Sequence, residues 1–140
     1  MNRRILILIT AVGASGLIFS TPDAAQKTSV DRKGVRVRII KGPALESATN
    51  TSAVIRWTTN AGGGTIVHYG IVHYGTAPNS LNNTAKSSNR WNRNLPYMIY
   101  RVNVDRLKPG TTYYYTVGST QANGVDDEAS SAVDQFTTGP

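Results

Sequence analysis

The side chains able to do chemistry are few and fall in three places. The pentapeptide Ile66-Val67-His68-Tyr69-Gly70 is followed at once by Ile71-Val72-His73-Tyr74-Gly75, and the two copies hold both histidines of the chain. Imidazoles ligate metals and move protons near neutral pH. The repeat unit has an odd length, so in a straight strand His68 and His73 face opposite sides, roughly 16 Å apart at about 3.3 Å per residue. A bulge or turn at Gly70 would realign them, yet two imidazoles remain too few for a zinc site. The second place is Asn89–Asn94, where Trp91 sits between Arg90 and Arg93. Aromatic rings beside guanidinium groups contact carbohydrate, single-stranded nucleic acid or protein. The competing reading is that Trp91 caps the edge of the core and the arginines are solvated. The third is Asp126-Asp127-Glu128. Calcium takes six to eight oxygens, which three adjacent residues rarely supply, so this segment reads as a solvated loop.

Other chemistries are excluded by what the sequence lacks. There is no cysteine, which removes disulfides, thiol nucleophiles and Cys-ligated zinc. No Gly-x-Ser-x-Gly elbow, histidine-containing triad or phosphate loop can be assembled from the sequence. No catalytic residue, cofactor or metal site is therefore expected. The 140 residues carry 15 Lys+Arg against 8 Asp+Glu, a formal net charge of +7. Lys27, Arg32, Lys33, Arg36, Arg38 and Lys41 cluster early. Arg36 and Arg38 alternate with Val35, Val37 and Ile39, giving one basic strand face. It either meets an anionic polymer or lipid headgroups, or blocks edge-to-edge pairing.

The elements that would position these groups are strands. From Gly34 onward, short β-branched and aromatic runs are separated by Gly, Pro, Asn and Ser, and no 3.6-residue apolar period is sustained. The pattern predicts strands over Val35–Ile40, Ala44–Glu46, Ala53–Thr58, Thr65–Tyr74, Thr84–Ser87, Tyr97–Val104, Thr112–Gly118 and Ala132–Thr138. Ala53, Ile55 and Trp57 share one face of their strand and Val54, Arg56 and Thr58 the other. Tyr113, Tyr115 and Val117 do the same in theirs. Seven or eight such strands make an all-β, two-sheet antiparallel sandwich of immunoglobulin-like type. In Leu107-Lys108-Pro109-Gly110-Thr111-Thr112-Tyr113, Pro109 presets φ and Gly110 accepts positive φ for a type II turn. Leu107 plugs the end of the core. The Tyr113 ring buries while its hydroxyl bonds back to the turn, the tyrosine-corner arrangement.

That stretch, with Trp57 on an earlier strand, resembles a fibronectin type III domain. The resemblance narrows with Val35–Pro43, Thr51–Trp57, Tyr74-Gly75-Thr76-Ala77-Pro78 with Leu81, Leu107–Gly118 and Phe136–Pro140. In that order they are similar to the amino-terminal domain of purple acid phosphatases, over about residues 35–140. The resemblance implies a non-catalytic sandwich preceding a dimetal phosphoesterase domain. The ligand blocks of that catalytic domain, such as Gly-Asn-His-Glu, have no match in this chain. The same family pattern needs one Tyr-Gly before Thr-x-Pro, so Tyr74-Gly75 takes that role. The first pentapeptide then reads as an insertion lengthening the turn after Gly62-Gly63-Gly64, as a strand running beyond the sheet, or as a source of a second register. A protruding hairpin over Ile66–Gly75 would offer an edge for self-association.

Met1-Asn2-Arg3-Arg4 precedes the apolar run Ile5–Phe19, the layout of a secretory signal peptide. The run is shorter than the about 20 residues of a membrane span, and a retained anchor is the alternative. The expected organisation is a leader over 1–25, a linker over 26–34 and the sandwich over 35–140. Three functions follow as expectations. The first is a secreted or extracytoplasmic, non-enzymatic binding or spacer module for a protein or polysaccharide outside the cell, with no specific nucleic-acid partner. The second is a truncated or detached front domain of a metallophosphoesterase. The third is a surface subunit that self-assembles.

Overall fold

A computed structural model describes residues 36–60 and 64–140. The expected leader and linker, Val35 and the cations Lys27, Arg32 and Lys33 lie outside the described residues. Alternation of apolar and polar side chains builds eight strands: β1 (Ile39–Ala48), β2 (Ala53–Asn60), β3 (Val67–Gly75), β4 (Asn83–Arg90), β5 (Tyr97–Val104), β6 (Thr112–Gln121), β7 (Asp126–Ser130) and β8 (Asp134–Thr137). There is no helix among the described residues. A three-stranded sheet runs β1-β2-β5, and a second runs β4-β3-β6-β7, with β8 also paired to β6. All pairings are antiparallel. The architecture is the expected two-sheet sandwich.

The inward faces follow the two-residue period. Ala53, Ile55 and Trp57 of β2 oppose Val104, Val102 and Tyr100 of β5 in unbroken register, and all six are buried. Tyr113, Tyr115 and Val117 of β6 and Val72 of β3 close the core from the other sheet. Trp57 and Tyr100 stack with centroids 5.2 Å apart, and Tyr113 stacks on Phe136 of β8 at 5.7 Å. Such ring pairs add about 0.5–1.5 kcal/mol each beyond the area they bury. The Pro109-Gly110 corner is as expected. Gly110 has φ +57, Leu107 is buried, and the Lys108 amide donates to the Tyr113 hydroxyl at 2.9 Å.

Four expectations change. The first two strands are one strand, β1, whose register with β2 shifts three times, including across Gly42-Pro43. The final strand narrows to Asp134–Thr137, and Ser131 before it is joined to Val117 of β6 twice, its amide donating to the Val117 carbonyl and its hydroxyl accepting from the Val117 amide. An extra strand, β7, occupies the segment read as a solvated acidic loop. The first pentapeptide neither lengthens a turn nor protrudes. Val67–Tyr74 pairs residue for residue with Arg90–Asn83 of β4, and His68–Gly75 with Gln121–Tyr114 of β6. Both copies, Ile66 apart, therefore lie in one central strand with both edges filled, and that strand has no free edge to offer a second molecule.

Candidate functional site

The odd period of the repeat places like residues on unlike faces. His68 points into the core at 1% exposure, whereas His73 is exposed and its imidazole hydrogen-bonds the Thr84 hydroxyl, 3.1 Å away. Gly70, inward like His68, lies where Trp57 and Tyr100 reach across from the opposite sheet. A Cβ there would sit 2.8 Å from the Tyr100 ring and 3.1 Å from Trp57. The two imidazoles do not converge, and no cluster of three or more His, Asp and Glu side chains with metal-binding geometry occurs among the described residues.

Alternation along β7 turns Asp127 and Ala129 inward and leaves Asp126 and Glu128 outside. Asp127 consequently meets His68: its Oδ2 is 3.2 Å from Nδ1, and the Ser119 hydroxyl of β6 donates to the same oxygen at 2.7 Å. The other imidazole nitrogen, Nε2, donates to the Thr65 carbonyl at 2.9 Å. That carbonyl can only accept, so Nε2 carries a proton. A single proton between Nδ1 and Oδ2 completes the pair. From the facing sheet come Thr59 and the Tyr100 phenol. Burial pushes Tyr100 up to about 12; the neighbouring Ser119 and Thr59 hydroxyls oppose the shift, and the Asp127 charge adds to it, while the phenol itself donates to Met98 Sδ at 3.6 Å. Ser, His and Asp are thus assembled, but in an order that does no nucleophilic work. A catalytic serine donates to the imidazole, which donates to the carboxylate. Here serine and imidazole converge on one carboxylate, the far nitrogen is consumed by a backbone carbonyl, and all three side chains are sealed in the core. The arrangement is a buried polar clamp joining β3, β6 and β7. Sequence reasoning missed it, although His68 shares its face with Gly70 and Val72, and Asp127 shares its face with Ala129.

The Arg90–Trp91–Arg93 set follows β4 at the end of the sandwich where β3 begins. The Trp91 amide donates to the Ile66 carbonyl at 2.8 Å, and its indole Nε1–H donates to the Leu95 carbonyl at 3.2 Å. The half-buried ring packs against the core, and the Arg93 guanidinium lies 6.0 Å from its centroid. Trp91 is therefore a structural cap that also carries a cation, while Arg90 and Arg93 are exposed. Arg36 and Arg38 are exposed at the same end, tethered through Asn60, which bonds the Arg36 carbonyl and the Arg38 amide. Lys41 is exposed on β1. Asn50 and Asn82, the acceptors in the two Asn-x-Ser/Thr sequons, are both exposed. On the three-stranded sheet, Arg101 Nε grips both oxygens of Glu46, at 2.9 and 2.7 Å, and holds that carboxyl below its ordinary range.

Several solved structures share the fold. A short form of the sensor domain of the anti-sigma factor RsgI4 from Pseudobacteroides cellulosolvens is 25% identical, with a TM-score of 0.52 over 76% of this chain and 97% of that one. A longer form of the same domain is 24% identical with a TM-score of 0.49, over 75% of this chain and 89% of that one. No curated protein matches by sequence. The family model described as the N-terminal domain of purple acid phosphatase matches residues 42–138. That span runs from the Gly42 bend of β1 through the Tyr113 corner to the end of β8, and on it the chain belongs to the family of purple acid phosphatase N-terminal domains.

Proposed function

We propose that the chain is a non-catalytic recognition module that works outside the cytoplasm, presenting the Arg90–Trp91–Arg93 end of a rigid sandwich to a partner. One observation carries this reading. The residues that could do chemistry, His68, Asp127 and Ser119, are spent inside the core, while cations held on aromatic rings remain outside. The likeness to a domain described as a sensor supports recognition as the task. The basic pair and apolar run at the amino terminus support export.

The test compares the full chain with its Arg90→Ala/Arg93→Ala and Trp91→Ala variants on arrays of glycans and surface proteins. A ligand bound by the wild type and lost in the arginine variant, at unchanged melting temperature, is the expected result. A binding profile indifferent to all three substitutions removes the site. Metal-dependent hydrolysis of a phosphomonoester by the purified chain would overturn the non-catalytic reading. A second reading is favoured by the family itself: the chain is the front domain of a metallophosphoesterase. A continuing reading frame with Asp, Asn and His ligand blocks would support it, and a stop codon after Pro140 in the genome would remove it.

A further inference from the structure

Charge is distributed unevenly along this chain. Between Glu46 and Asp105 there is no Asp or Glu, yet Arg56, Lys86, Arg90, Arg93 and Arg101 all fall there. That stretch supplies β2 to β5. The fold gathers part of it on one side, because β4 is an edge strand and β3 lies beside it. Pairing of His68 with Asn89 and Val72 with Ala85 turns those four residues toward the core and turns Lys86, Ser88 and Arg90 outward, beside Val67, Tyr69 and Ile71. Asp126, Glu128 and Asp134 lie on β7 and β8, at the other edge. The five-stranded sheet is therefore polarised across its width.

The cations on the basic side are held in place without being neutralised. Lys86 Nζ lies 4.4 Å from the Tyr69 ring centroid, and Arg93 rests on Trp91. Among the described residues, the ion pairs are His68–Asp127 and Arg101–Glu46, so Lys86, Arg90 and Arg93 have no carboxylate partner there. A cation–π contact orients a charge and leaves its field intact. Lys86 and Arg90 are four residues apart on one strand face, about 13 Å at 3.3 Å per residue. One small anion cannot bridge that distance; an extended chain bearing several anionic groups can. Tyr69 and Trp91 already have their own cations on them, so the face offers no row of free rings on which successive nucleobases would stack. Lys86 and Arg90 on the edge strand also disfavour pairing with a further protein strand.

Resting on the reading of the chain as a recognition module, we propose that the outer β3–β4 face with Lys86 and Arg90, together with Arg93 just past the end of β4, binds an acidic polysaccharide. The test immobilises the full chain and titrates polygalacturonate, neutral pullulan of matched length, single-stranded DNA of matched charge, and phosphatidylglycerol vesicles. Polygalacturonate should bind, weaken about tenfold or more between 50 and 250 mM salt, as release of condensed counterions requires, and exceed pullulan throughout. Lys86→Ala/Arg90→Ala and Arg93→Ala should each weaken it about fivefold or more at unchanged melting temperature. Arg106→Ala/Lys108→Ala, at the opposite end of the sandwich, should leave it unaltered. Absence of polygalacturonate binding at 50 mM salt overturns the proposal, as does equal loss in the Arg106/Lys108 variant or tighter binding of DNA or vesicles. A neutral glycan or a protein captured by the wild type and lost in Arg90→Ala/Arg93→Ala would overturn this proposal alone and leave the recognition module standing.

Discussion

The two identical pentapeptides allow one substitution to be made twice in the same sequence context. His68→Val and His73→Val alter the unfolded chain alike, so residual structure there cancels from the comparison. Valine is favourable in strands, which keeps backbone preference from deciding the result. In the folded protein the two differ completely. His68→Val removes two buried hydrogen bonds, to Asp127 and Thr65, and leaves Asp127 Oδ2 with Ser119 alone, while Oδ1 already has no partner among the described residues. Each buried polar group left unsatisfied costs about 1–3 kcal/mol, and two lose their partner, on Asp127 and at the Thr65 carbonyl. For a domain of this size a loss of about 2–6 kcal/mol corresponds to a fall in melting temperature of roughly 10–30 °C. His73→Val removes one exposed contact and should change stability by less than about 0.5 kcal/mol. Urea unfolding followed by tryptophan fluorescence measures both, because Trp57 is buried and stacked in the folded state. Adding Asp127→Asn to His68→Val should recover part of the loss, a coupling that identifies the pair as its source. Equal midpoints for the two histidine variants would refute the buried clamp.

Gly70→Ala should destabilise by about 1–3 kcal/mol in the same urea assay, since its methyl group would press on Tyr100, Trp57 and Val102 in the packed core. Tyr113→Phe keeps the ring and deletes the bond from the Lys108 amide, so a loss of about 1 kcal/mol is expected, and a loss near zero would show that the corner is held by packing alone. Tyr100 is raised from its ordinary 10.0 to about 12, chiefly by burial. A folded-state value above the unfolded one means stability is full below pH 10 and declines as pH rises from about 10 to 12. Thermal melts across that range should fall, less steeply in Tyr100→Phe; a flat profile would contradict the assignment.

How much of this could be read from residues alone depended on whether a strand announces itself by apolar alternation. Strands β2, β5 and β6 do so, and Trp57, Tyr100 and Tyr115 are buried as their periodicity requires. The Tyr113 corner was legible because Pro109 and Gly110 constrain the backbone locally and the ring follows within a few residues. Strand β7 was not legible. Asp126-Asp127-Glu128 has the composition of a solvated loop, and what makes Asp127 an interior residue is a histidine 59 positions away. Burial of a carboxylate is set by its partner and not by its own type, so nothing local signals it. Strand β4 was underestimated for a related reason. Its sequence, Asn-Thr-Ala-Lys-Ser-Ser-Asn-Arg, is polar but for Ala85, and its length comes from pairing with every residue of the repeat from Val67 to Tyr74. The Arg90–Trp91–Arg93 set was visible as a cluster of residue types. Its association with Lys86 and Tyr69 required the register of β3 and β4.

The repeat also shows how a sequence with two equivalent alignments still specifies one register. If β3 slid by five residues so that the second copy took the place of the first, His73 would occupy the seat beside Asp127 and the clamp would survive. The positions of Val72 and Tyr74 would then pass to Ala77 and Asn79. Val72 is completely buried and Tyr74 packs edge-on against Tyr113, so the lower half of the core would be emptied. If it slid the other way, the first copy would fill the lower half just as well, but Gly63 would replace His68 and Asp127 would be buried without its imidazole. Each slip keeps one half of the strand and forfeits the other. Only the observed register supplies apolar side chains below and an imidazole above. An odd repeat length is what permits this, because it lets one pentapeptide present its histidine inward in the first copy and its valine inward in the second. The buried clamp therefore does for register what the apolar core does for affinity between the sheets, and it leaves the outward members of the same repeat, Tyr69 and Ile71, beside the basic edge of β4.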